Sequence, residues 1–262
     1  MLKNIWNKLF VETFHQTESE KLTKTNFDKK VVLIFLISAL SLVCIQYIGD
    51  LSFVKSLKID WINNLINSSE NVFPNYRLFS LIYWVSIIFL CYFLIPILII
   101  KIIFKESLSN YGLNYRGIFK SYKIYIVFFM IMLPLIILVS YSESFQNKYP
   151  FYNPHNESLY PNFIIWQCFY FLQFFALEFF FRGFMVHGFK KQFGYYSIFI
   201  MMIPYCMIHF QKPMPETIGA ILAGIVLGSL SLKSKSIWLG VAIHYSVAIT
   251  MDIAALWQKG FF

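Results

Sequence analysis

Residues 163–184 read FIIWQCFYFLQFFALEFFFRGF. A run of about 20 apolar residues is long enough to cross a bilayer as a helix. This one carries Glu178 and Arg182 four positions apart near its end. A charged side chain inside the hydrocarbon costs a few kcal/mol on insertion scales, and such residues usually face a bundle interior and mark a working site. The run therefore carries two messages: the chain crosses a membrane here, and this helix holds chemistry.

The rest of the sequence extends the first message. Of 262 residues, 58% are hydrophobic and 20% aromatic, while only 13% are charged, far from the usage of soluble globular domains. Apolar segments recur near 31–49, 79–104, 122–141, 161–187, 195–209, 217–232 and 236–257. The expected fold is all-α, a polytopic transmembrane helical bundle of about seven or eight spans. Residues 1–30 are polar and mixed in charge and lack the pattern of a secretory signal peptide. Leu2, Ile5, Trp6, Leu9, Phe10 and Phe14 share one helical face there, which suits a helix lying at the membrane surface; a partly ordered tail fits the same residues.

Basic residues set an orientation, because Lys and Arg accumulate on the cytosolic side of short loops. With the N-terminus inside, the larger share of the 22 Lys and Arg falls in the cytosolic segments, among them Lys101, Lys105, Arg116, Lys120, Lys123, Lys190, Lys191, Lys233 and Lys235. Seven spans then place the C-terminus outside. The net charge of +9 follows from this bias and from anionic lipid at the cytosolic face, so no nucleic-acid partner is implied. Cys44, Cys91, Cys168 and Cys206 all lie in apolar segments without a CxxC, as small core hydrophobes do. Asn67-Ser68-Ser69 and Asn156-Glu157-Ser158 fit the glycosylation acceptor pattern, which is too short to weigh in an Asn-rich chain. No long internal repeat of the kind that builds many transporters is visible.

The chemistry concentrates in 170–252. Residues four apart on a helix share a face, so Glu178 and Arg182 can pair, which keeps the carboxylate ionised in a low-dielectric site. His209 ends the segment holding PYCMIHF, and His244 lies inside IWLGVAIHYSVAITMDI. At ~1.5 Å rise per residue, Glu178 lies ~18 Å in from Lys190, His209 ~21 Å in from Tyr195 and His244 ~14 Å in from Lys235. Three helices thus offer one polar group each at mid-membrane. A carboxylate and an imidazole around one water can activate it for attack on a carbonyl, with a second imidazole steadying the oxyanion. The same Glu178, His209 and His244 also make up a ligand set of the kind catalytic zinc sites use, with a position left for water. Both alternatives describe hydrolysis of a peptide bond within the membrane, the first without a cofactor and the second with zinc. Gly219, Gly224 and Gly228, with Ala220 and Ala223, form a small-residue helix that lets neighbouring helices approach closely.

Four stretches in order carry a resemblance: Glu-Phe-Phe-Phe-Arg-Gly at 178–183, Tyr-Cys-Met-Ile-His at 205–209, GAILAGIVLG at 219–228 and Ser-Ile-Trp-Leu-Gly-Val-Ala-Ile-His at 236–244. Together they resemble the motifs of the CAAX protease and bacteriocin-processing family, also called CPBP or Abi, which includes type II CAAX prenyl endopeptidases, bacterial intramembrane proteases and self-immunity proteins. The likeness covers roughly residues 120–257, and SLSNYGLNYRG at 107–117 is similar to the amphipathic lead-in to that core. The chain departs from the pattern in three places. Leu177 replaces the first acid of EExxxR, Tyr205 replaces the Phe of FxxxH, and Ala248 stands where HxxxN or HxxxD would place a partner of His244. A single-glutamate subgroup of the form EFFFRG…HxxKPxxE…H is similar, and it makes Glu216 a second functional acid. Glu216 follows Pro213 and Pro215, which suggest a loop. Asp252, two turns beyond His244, is otherwise unexplained in an apolar segment.

The resemblance implies an intramembrane endopeptidase, with a peptide or membrane-anchored protein as substrate. In that reading Glu178 activates water with His209, His244 stabilises the oxyanion, Arg182 positions Glu178, and Glu216 and Asp252 are secondary candidates. The expected organisation is a cytosolic lead-in at 1–30, accessory helices over 31–118 and the catalytic core at 119–262. The expected location is a bacterial cytoplasmic membrane. Two other classes use the same residues: an inactive immunity or scaffold protein, favoured by Leu177 and Ala248, and a proton- or ion-coupled transporter in which buried Glu and His titrate.

Overall fold

A computed structural model describes residues 7–19, 28–72, 75–115, 122–154 and 158–261. Leu2, Ile5, Trp6, Arg116, Lys120 and most of the second N-x-S site lie outside the described residues. The described part is helical, with no strand among its elements. Lipid supplies no hydrogen bonds, so an apolar segment satisfies its backbone within itself by forming a helix. We number the main helices α1 (7–19), α2 (Lys29–Tyr47), α3 (Tyr76–Phe104), α4 (Tyr122–Ser140), α5 (162–193), α6 (Ser197–Met207), α7 (Met214–Ser234) and α8 (Trp238–Gln258). Short helices Leu51–Ser56, Asp60–Val72 and Glu143–Lys148 fill two of the connections.

Among the described residues six helical runs are long and apolar enough to cross a membrane, and one of them, Asn162–Met207, contains both α5 and α6. That run reverses at Gly194, which has φ +56°, and α6 packs back against α5. A side chain at Gly194 would be strained by that φ and would also run into the Glu18 carboxylate of α1. Counted arm by arm, each of the seven expected apolar segments is a helix. The fifth is short because α6 has 11 residues and ends in the turn that carries His209.

The loops sort to two ends of the bundle, as alternating helix directions require. At one end α1 docks by Leu9, fully buried beside Leu227 and Leu230, and Lys233 donates to the Lys8 carbonyl. Lys30 there donates to Glu106 at 2.8 Å, and the Tyr111 hydroxyl joins the same carboxylate at 2.7 Å. Burial alone would raise the Glu106 carboxyl, but the hydrogen bonds from Lys30 and Tyr111 and the charges of Lys30 and Lys191 hold it below its ordinary value. At the other end Asn75 bonds Tyr152, and Tyr149 bonds Glu216. α3 buttresses α5 with rings: Tyr92 stacks on Phe180 at 4.2 Å between centroids, and Phe93 meets Phe175 and Phe179. α7 lies on α6 through its small residues, since a Cβ at Gly228 would come within 2.9 Å of Ile198. Gly219 has no neighbour of that kind. All four cysteines are free thiols.

Candidate active site

Glu178 closes the regular α-helical part of α5, and the following turns, Phe179–His187, are π-helical. Such widened turns are rare and frequent at functional sites. Both Glu178 and Arg182 are 0% exposed, with Nη1 3.1 Å from Oε1. The charges pair by distance, yet none of the three guanidinium nitrogens has hydrogen-bond geometry to any partner. The guanidinium lies instead over the Tyr205 ring, 4.0 Å from its centroid, a contact that contributes roughly 2 kcal/mol when desolvated.

His244 reaches the same carboxylate from α8, with Nδ1 2.9 Å from Glu178 Oε1. A carboxylate only accepts, so this geometry assigns the proton to Nδ1. One turn earlier on α8 stands Gly240. A Cβ there would sit 2.7 Å from Glu178 Oε2, so glycine is the residue that lets α8 close on the acid. Oε2 itself is buried without a hydrogen-bond partner.

α6 supplies the third side. The Tyr205 carbonyl accepts from His209 Nδ1 at 2.8 Å, which leaves Nε2 as the histidine's acceptor nitrogen. The Tyr205 hydroxyl lies 3.4 Å from His244 Nε2, and its ring packs on Phe181 and His209. Glu178, Arg182 and His244 are thus in direct contact, and His209 joins them through Tyr205. Of these residues Tyr205 is the one the sequence undervalued, as a mild departure from Phe. Its signal was a hydroxyl one helical turn before His209, on the same face.

The two secondary acids lie in other clusters. Asp252 is fully buried and accepts from Phe151 N at 3.2 Å, Trp166 Nε1 at 3.3 Å and Gln167 Nε2 at 3.0 Å, which ties α5 and the 149–152 segment to α8. Glu216 is helical, in the first turn of α7. Prolines at a helix start are tolerated because the N–H groups there have no helical acceptor, so Pro213 and Pro215 do not make the loop expected from them. Its carboxylate accepts from Lys212 Nζ and from the Tyr149 hydroxyl, each at 2.6 Å. Burial and the Glu216 charge raise the Tyr149 phenol, so Tyr149 keeps its proton and donates.

The zinc alternative can be tested on the donors. Among the described residues no three His, Cys, Asp or Glu side chains are gathered to hold a metal ion. Glu178 Oε1 faces Arg182 and His244 Nδ1, and His209 Nδ1 is turned to its own helix. As placed, Glu178, His209 and His244 do not fit a zinc ion.

Residues 160–250 match the family described as type II CAAX prenyl endopeptidase Rce1-like. The matched segment contains Glu178, Arg182, Tyr205, His209, Glu216, Gly240 and His244 and stops short of Asp252. The likeness read from the motifs is borne out. No curated protein and no solved structure matches the chain. The family match and the apolar helices identify an integral membrane protein, and the match supports an intramembrane endopeptidase in general terms.

Proposed function

We propose that the chain hydrolyses a peptide bond within the membrane by activating a water at Glu178. The observation that carries this reading is the 2.9 Å contact between Glu178 and His244, two groups on separate apolar helices, the acid fully buried. Oε1 is held by His244 and the Arg182 charge, and Oε2 has no hydrogen-bond partner. Oε2 takes a proton from the attacking water as the water oxygen bonds the scissile carbonyl carbon. His209, its Nδ1 engaged by the backbone, offers Nε2 to the same water. Once Glu178 is protonated its hold on His244 Nδ1–H weakens, and that N–H turns to the oxyanion. Glu178 then delivers the proton to the leaving amine nitrogen as the C–N bond breaks. Arg182 holds the carboxylate in place by Coulombic pairing in a low dielectric.

In this reading 119–262 form the catalytic core and 31–118 buttress it, as the Tyr92 and Phe93 contacts with α5 suggest. The substrate is a peptide or membrane-anchored protein, in a bacterial cytoplasmic membrane with the N-terminus in the cytosol. Mass spectrometry of membranes from cells carrying Glu178→Gln is expected to reveal accumulating peptides that the purified wild type cleaves and the variant does not. Equal cleavage by the two purified proteins refutes the role of Glu178. Solute movement by the wild type in liposomes, without any cleavage, supports a transporter instead.

A further inference from the structure

Both ring nitrogens of His244 are engaged, and by different helices. Nδ1 faces Glu178 on α5 and Nε2 faces the hydroxyl of Tyr205 on α6. The proton on Nδ1, required by the carboxylate, makes Nε2 an acceptor, so the Tyr205 hydroxyl is the donor. Nothing on α8 itself can do this. The residue one turn beyond His244 is Ala248, a buried methyl in the apolar cluster with Trp166 and Phe174. Tyr205 is 1% exposed, and its ring is fixed by Phe181 on one side and by the Arg182 guanidinium over its face.

We infer that Tyr205 is a positioning residue of the active site, whose hydroxyl holds His244 in the Nδ1–H tautomer and so aims that N–H at Glu178. The inference deepens the hydrolytic reading above and rests on it. One residue then serves three partners: its ring carries the Arg182 charge, its carbonyl orients His209, and its hydroxyl orients His244. The last of these needs the oxygen, which separates Tyr from Phe at this position. At 3.4 Å the bond is long, as catalytic hydrogen bonds often are before substrate tightens them.

The test is Tyr205→Phe, which keeps the ring, its packing and its cation contact and removes the oxygen alone. The substrate is a fluorogenic peptide built from a sequence that accumulates in Glu178→Gln membranes, assayed with purified protein in micelles. Loss of this one hydrogen bond is expected to lower kcat about fivefold, with KM unchanged and the thermal midpoint within a few degrees of the wild type. A substrate-independent readout accompanies it. In protein labelled with 15N-histidine, the His244 resonances, assigned by their loss in His244→Gln, show a protonated Nδ1 and an Nε2 that shifts in Tyr205→Phe. Unchanged kcat and unchanged His244 nitrogen shifts, in a protein that Glu178→Gln inactivates, overturn the role of Tyr205 and leave the protease reading standing. Undiminished cleavage by Glu178→Gln overturns the protease reading itself, and the nitrogen shifts still decide the hydrogen bond.

Discussion

Replacing Gly240 by Ala puts one methyl group against the acid. The added Cβ would stand 2.7 Å from Glu178 Oε2 and 3.5 Å from Cδ, with nothing else within 4 Å. Ordinary van der Waals contact begins near 3.4 Å, so the carboxylate must retreat by about 0.7 Å or the two helices must part. A retreat of that size stretches the 2.9 Å bond to His244 past the usual range for hydrogen bonds. Overpacking costs about 1–3 kcal/mol, and the gain in helix propensity from Gly to Ala returns about 1 kcal/mol. Stability is therefore expected to change by no more than about 2 kcal/mol, a shift of a few degrees in a thermal melt in micelles. Displacement of a catalytic group by nearly 1 Å can cost about a hundredfold in rate. Gly240→Ala should thus fold, melt close to the wild type and cleave its peptide on the order of a hundredfold more slowly. Wild-type turnover by a well-folded Gly240→Ala protein would refute the placement of Glu178 against α8 and the chemistry built on it.

Arg182→Met leaves Glu178 buried without its counter-charge and is expected to destabilise the protein by about 3–5 kcal/mol. Adding Glu178→Gln should restore much of that loss in chemical unfolding of the purified protein, and additive losses would show that the two charges do not interact. Asp252→Asn removes the carboxylate that Phe151 N, Trp166 and Gln167 share. It should lower stability by about 1–3 kcal/mol while retaining hydrolysis once folded, and an inactive but equally stable variant would make Asp252 catalytic. The contact of Lys30 and Tyr111 with Glu106 depends on pH in a definite direction. Because the folded carboxyl lies below its ordinary value, its contribution is present above about pH 4.3 and is lost as pH falls through the lowered value. The wild type should melt above Glu106→Gln near neutrality and converge with it in acid, and a constant gap down to about pH 3 would contradict the assignment.

The membrane fold was legible because lipid imposes one rule on every segment. About 20 apolar residues must become a helix, and Lys and Arg bias the loops between them. Sequence spacing therefore located all seven segments and grouped the loops by end. It also found Glu178 and Arg182, since a charge in an apolar run stands out without any knowledge of neighbours. What it misjudged depended on context along one helix. Pro213 and Pro215 suggested a loop where they begin α7, because a helix start has no N–H bonds for proline to break. The 3.6-residue period also gave no hint of the π-helical turns after Glu178.

Which groups actually meet was decided by tertiary structure alone. The sequence reading set His209 beside Glu178 as its partner in activating water and gave His244 the oxyanion. In the fold His244 touches Glu178, while His209 binds its own backbone and reaches the acid through Tyr205. The importance of Gly240 is invisible without α5 packed against it, and so is that of the Tyr205 hydroxyl without α8. Periodicity reports which face of a helix a residue occupies. Contact between residues 39 to 66 positions apart is set by how helices cross and rotate against one another, and that is fixed by packing summed over whole interfaces.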